Sequence, residues 1–166
     1  MSRAFVKELD DQGDSAHPLR PQSPHANYVT PRGLRLLKDR VRSLAKSREA
    51  LAGRDDLASQ QSVRELERDL TYFNERVKRA ILVSPEEQSL DQVHFGAVVE
   101  VEDAEGERSS FMIVGEDEAD AAQGRVSWVS PLAKALMNAR VGDVVNWKRP
   151  AGDKELEVLS IRKATV

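Results

Sequence analysis

Just past Ala52 the chain reads GRDDLASQQ, with two adjacent carboxylates, Asp55 and Asp56, behind a glycine that interrupts a helical pattern. Two kinds of chemistry fit them. Exposed carboxylates can supply oxygen ligands to a hard cation such as magnesium. An aspartate at a helix start can instead accept hydrogen bonds from the free N–H groups of the first turn and complement the positive helix end, worth about 0.5 to 2 kcal/mol. A rival start, Ser62 with Glu65 three residues on, is a capping box that would leave 52–61 as a longer, looser tip. A second group is basic: Arg32, Arg35, Lys38, Arg40, Arg42, Lys46, Arg48 and Arg54 face only Asp39 and Glu49 in the same segment. Such a cluster can hold phosphates by charge, without sequence readout, although a salt-bridged, solvated helix face carries the same pattern. A third group is the acidic run GEDEAD, with Glu116, Asp117, Glu118 and Asp120.

The elements that position these groups follow from periodicity. Thr30 and Pro31 in TPRG form a helix start, the threonine as cap and the proline where its missing N–H costs nothing. Leu34, Leu37, Val41, Leu44 and Leu51 then follow a 3,4 spacing, and Val63, Leu66, Leu70, Phe73, Val77 and Ala80 repeat it. Two seams joined by a short glycine-containing connection predict an antiparallel coiled-coil hairpin over 28–83. SPEEQ at 84–88 signals a new helix start with Ser84 as cap. Beyond it the period becomes two: Val99 and Val101 alternate with Glu100 and Glu102, and RVSWV, DVVNW and ELEVLSI read as further strands. Between them Ser130 and Pro131 open one short helix. The class is therefore α+β, with residues 84–166 forming a mostly antiparallel sheet, one helix packed on it, and Trp128 and Trp147 in its core. Residues 1–27 hold three prolines and little to bury, and are expected to be a flexible arm.

Composition narrows the function classes. The chain has 166 residues and no cysteine, which excludes disulfides, thiolate metal sites and thiol nucleophiles. His17 and His25 lack a supporting ligand cluster, so no metal site of the chain's own is expected. No stretch is apolar enough to span a membrane and no secretory signal is visible, so a cytoplasmic monomer is expected. The net charge of −3 divides into −1 over residues 1–30, +5 over 31–83 and −7 over 84–166. That asymmetry suggests two surfaces with different partners, one a polyanion and the other a basic protein patch.

FGAVVEVED, FMIVGEDEAD, SPLAKAL, VGDVV and PAG, in that order after a helical hairpin, resemble the Gre family of bacterial transcript-cleavage factors, and SRAFVKE and NYVTPRGL look most like its GreB branch. The resemblance covers about residues 27–162. It implies a coiled-coil finger followed by an FKBP-like domain that docks at the rim of the RNA polymerase secondary channel. Asp117, Glu118, Asp120, Ser130 and Pro131 match the docking part of the family domain. The resemblance also implies that tip carboxylates help hold a magnesium ion of the polymerase active centre, and that the basic face (Arg40, Arg42, Lys46, Arg48, Arg54) lies near transcript RNA or DNA. The chain would then be an accessory to another enzyme's cleavage activity and not an enzyme itself.

The tip departs from that pattern. Against the family's approximate GDLSENAEY, Asp56 and Leu57 match, Asp55 falls at the glycine, and Ser59 and Ser62 replace both glutamates. Each arm is about eight residues shorter than usual, a deficit of roughly 12 Å at 1.5 Å per residue. Strong stimulation of cleavage is not expected. The alternative function is a regulator that occupies the channel without promoting cleavage.

Overall fold

In a computed structural model, residues 19–165 are described. A short strand β1 (Asn27–Val29) leads into helix α1 (Pro31–Leu51), and α2 (Leu57–Lys78) returns antiparallel to end at strand β2 (Ala80–Leu82). Thr30 caps α1, its side chain accepting from the Gly33 N–H at 2.9 Å. Only Leu37 and Leu44 of the α1 seam are buried, while Leu34, Val41 and the α2 seam stay half-buried, because two helices alone have one face to share. Gly53, at φ +80°, lets the connection turn between them. β1 and β2 pair in parallel, Tyr28 opposite Ile81, and the Val83 N–H donates to the Val29 carbonyl at 2.9 Å. The two outer ends of the hairpin are thus tied side by side.

The rest of the chain is a five-stranded sheet in the order β5-β4-β3-β7-β6, from β3 (Ala97–Asp103), β4 (Arg108–Val114), β5 (Arg125–Ser127), β6 (Val144–Trp147) and β7 (Lys154–Lys163). All neighbours are antiparallel except β4 and β5. A register shift between Glu100 and Val101 where β3 pairs with β7 introduces the bend expected of a bulge. Val99, Val101, Ile113 and Val158 face inward with no exposure, and α3 (Pro131–Leu136) closes the core with Leu132, Ala133 and Leu136. The α+β arrangement and the hairpin match what periodicity indicates. Among the described residues no helix is long and apolar enough to cross a membrane.

Several local expectations need correction. SPEEQ forms only a 3-10 turn at Pro85–Glu87, and Ser84 makes no side-chain cap bond. Trp128 and Trp147 are half-buried at the margin of the core, because each also reaches an outer neighbour: Tyr28 lies edge-on to Trp128 and Arg149 lies over Trp147. The first 18 residues of the expected arm, His17 included, lie outside the described residues. From Leu19 onward the chain packs: Arg20 lies 3.9 Å over the Tyr72 ring, the Gln22 side chain donates to the Tyr72 carbonyl at 3.1 Å, and Ser23 donates to Glu116 at 2.9 Å. Asn27 is buried. Cation–π and main-chain contacts hold this segment where composition alone indicates freedom.

Candidate functional site

At the far end of the hairpin, Asp56 is the cap of α2 and Ser62 is not. Its Oδ1 accepts from the Ser59 N–H at 2.9 Å, and Ser59 itself is buried. The Ser59 side chain first, and then its N–H, hold the Asp56 carboxyl below its ordinary pKa of 3.8. A lowered folded pKa means that the cap stabilises fully above the unfolded value and is lost as pH falls through the folded one. Asp55 is exposed and its main-chain carbonyl accepts from the Gln60 side chain at 3.2 Å. Among the described residues no three His, Asp or Glu side chains converge where a metal could sit. The tip therefore offers one uncommitted carboxylate, Asp55, and one partly committed to a helix end. Leu57, 81% exposed, stands beside them.

Cap and charge can be separated at position 56, since asparagine caps as well as aspartate does. Asp56→Asn is expected to leave unfolding free energy within about 0.3 kcal/mol, whereas Asp56→Ala lowers it by about 1 kcal/mol. Equal losses in urea denaturation would show that charge, and not the cap bond, is what position 56 contributes.

The basic face is only partly engaged. Arg42 pairs with Asp39, Arg48 with Glu67 at 3.0 Å across the hairpin, and the Arg40 guanidinium lies 5.6 Å from the Phe73 ring centre. Lys46 and Arg54 are exposed and have no carboxylate partner among the described residues. Arg40 likewise has no ion pair among the described residues, and the charge of Arg54 helps to lower the pKa of the nearby Asp56 carboxyl.

At the base of the hairpin the acidic run occupies a place that sequence spacing did not indicate. The 3-10 turn Glu116–Glu118 packs onto the start of α1 and is tied to the end of α2 through Arg76. Glu118 is turned inward, 4% exposed, accepting from the Thr30 hydroxyl at 2.5 Å and from Arg32 at 3.1 Å. Asp117 receives Arg76 Nε at 2.7 Å, and the 1% exposed Arg76 also donates to Asn27 Oδ1 at 2.6 Å. Expectation placed Glu118 at an outer docking surface; it is turned into the junction instead, where it satisfies the buried Thr30 hydroxyl and pairs with the part-exposed Arg32. Asp120 stays exposed and pairs with Arg125 at 3.3 Å. Ser130 caps α3 by accepting from the Ala133 N–H at 3.2 Å, with Pro131 exposed beside it. Asp120, Ser130 and Pro131 thus remain near the surface of the sheet domain.

Gly33 reports on this packing. A Cβ there would stand 2.6 Å from Glu118 Oε2, although the helical backbone accepts alanine. Gly33→Ala is expected to cost about 1 kcal/mol with Glu118 present, and to gain up to about 1 kcal/mol, the helix-propensity difference, in a Glu118→Ala background. A thermal-denaturation cycle showing additive effects would mean that the two positions do not touch.

Comparison with known proteins gives four findings. The family described as "Transcription elongation factor, GreA/GreB, C-term" matches residues 85–163. A transcription elongation factor GreB of Neisseria meningitidis serogroup A is 38% identical over 151 residues, spanning 81% of this chain and 93% of that protein. A GreA of Methylococcus capsulatus is 47% identical over 72 residues, 43% of this chain and 46% of its own. Among solved structures, Thermus aquaticus Gfh1 is 29% identical over 82% of this chain and 97% of that one, with a TM-score of 0.41.

Proposed function

Since this chain belongs to the GreA/GreB family of transcription elongation factors, we propose that it places its helical finger in the secondary channel of RNA polymerase, with the sheet domain at the channel rim. The observation that carries this reading is the GreB similarity, which spans 93% of that relative and so includes finger and domain together. Asp120, Ser130 and Pro131 form the docking surface on the sheet domain, and Glu118 supports it from inside. The names of the relatives favour an elongation factor over a channel-occupying inhibitor.

At the tip, Asp55 carries whatever metal contact exists. Magnesium in this reading belongs to the polymerase and would supply the activation of the attacking water, with Asp55 as the carboxylate of this chain that would help to hold it. Two carboxylates, one of them capping, fall well short of the oxygen set that a magnesium ion needs, so most ligands come from the polymerase. The protein is an accessory to the polymerase's own hydrolysis and has no reaction of its own. It acts as a monomer in the cytoplasm, and Lys46 and Arg54 meet nucleic-acid phosphates without reading sequence.

The test is binding first and cleavage second. The purified chain is expected to co-elute with core RNA polymerase at low salt, and failure to do so removes the proposal. On a backtracked complex with labelled transcript, Asp55→Ala is expected to abolish any stimulated cleavage that the wild type shows, while Asp56→Asn retains most of it. The reverse order would place Asp56, not Asp55, at the metal.

A further inference from the structure

A cavity of about 230 Å³ lies where the start of α1 meets the sheet domain, between Pro31, Arg32 and Arg35 on one side and Pro85, Met112 and Arg125 on the other. Three arginines line it and, among the described residues, no Asp or Glu does. The acids that hold two of them lie outside the lining: Glu118 holds Arg32 at 3.1 Å and Asp120 holds Arg125 at 3.3 Å. Each acid orients a guanidinium without exhausting its donors. Arg35 has no ion pair among the described residues. The first turn of the 21-residue α1 adds the positive end of its dipole.

We propose that this cavity is a binding site for a small phosphate anion of about pyrophosphate size. The charge calls for an anion, and the guanidinium fork matches the oxygens of carboxylate and phosphate groups. Number favours phosphate: one carboxylate offers two oxygens, which a single fork already satisfies, whereas three forks on two sides of a cavity match a group with more oxygens. Size favours a compact one, since the volume falls below the roughly 300 to 1,000 Å³ of pockets that take drug-sized molecules. The apolar parts of Pro31, Pro85 and Met112 exclude water beside the charges and strengthen them. Because Arg32 and Arg35 belong to the finger and Arg125 to the sheet domain, the bound anion bridges the two and tightens their junction.

The experiment is calorimetric titration of the full chain with inorganic pyrophosphate, with citrate as a carboxylate of comparable charge, on the wild type, Arg35→Ala, Arg35→Lys and Lys148→Ala. Arg35 is exposed on a helix and alanine favours helix, so these variants fold. Saturable pyrophosphate binding is expected, weakened about tenfold or more by Arg35→Ala, less by Arg35→Lys, and unchanged by the distant Lys148→Ala. Ligand should also raise the wild-type melting temperature, as binding to the folded state alone requires. No saturable binding, equal weakening in Lys148→Ala, or citrate binding as tightly as pyrophosphate would each overturn the proposal.

Discussion

Replacing Arg76 with alanine is expected to destabilise the protein by about 3 kcal/mol, the lower end of the range for breaking a buried ion pair. Arg76 is 1% exposed and joins three elements: its guanidinium meets Asp117 at 2.6 Å, Asn27 at 2.6 Å and Glu116 at 3.6 Å. Alanine leaves two carboxylates facing a hole and Asn27 without its donor, so like charges approach where a cation stood. Two features hold the expected loss to the lower end. Asp117 and Glu116 keep 22% and 24% of their side chains exposed, so water screens them, and Arg76 Nη1 has no acceptor among the described residues. Arg76→Lys retains the charge without the fork and should fall between the two. Urea denaturation followed by far-UV circular dichroism measures this. A loss under about 0.5 kcal/mol, the scale of an ordinary surface substitution, would mean that the junction is held by apolar packing instead.

Gly115→Ala should act on the same junction by a steric route. A Cβ at Gly115 would stand 2.4 Å from the Tyr28 carbonyl oxygen and 3.7 Å from Val29 Cα. Both are backbone atoms of β1, which is paired with β2, so no side chain can swing aside to make room. The expected cost is about 1 to 3 kcal/mol, with the opposite sign to the usual gain from removing a flexible glycine. Opening of the junction should speed proteolysis in the segment following β2, as a limited digest with a glutamate-specific protease cutting at the exposed Glu86 and Glu87 would show. An unchanged melting temperature and digest pattern would mean that β1 moves freely enough to accommodate a methyl group.

The elements of the fold that depend on near neighbours were legible in the sequence. The 3,4 spacing in both arms, the caps at Thr30 and Asp56, and the alternation around Val99 each follow from residues within a turn or two of one another. The junction was hidden for the opposite reason. Arg76 reads as one more cation on a solvated helix, and its partners Asp117 and Asn27 lie 41 and 49 residues away. Asn27 sits in a segment whose prolines and small polar residues argue against packing. Glu118 reads as surface charge within an acidic run, and only the approach of Thr30 and Arg32 makes it an inward group. A missed signal was available at the glycines: Gly33 within a helix and Gly115 at a strand end both mark close approach by another element. At the tip, two helix starts were legible, Asp56 and Ser62, and the Ser59 N–H bond places the cap at Asp56.

The side-by-side tie between β1 and β2 has a mechanical consequence. With both outer ends of the hairpin fixed to each other, the helices cannot slide independently, and the finger turns as one lever about its base. With α1 about 32 Å long, a rotation of about 5° at that base carries the tip through about 3 Å. Placement of Asp55 is then set by the stiffness of contacts at the opposite end of the molecule. A substitution there can shift the tip by a ligand's breadth while leaving every atom of the tip unchanged.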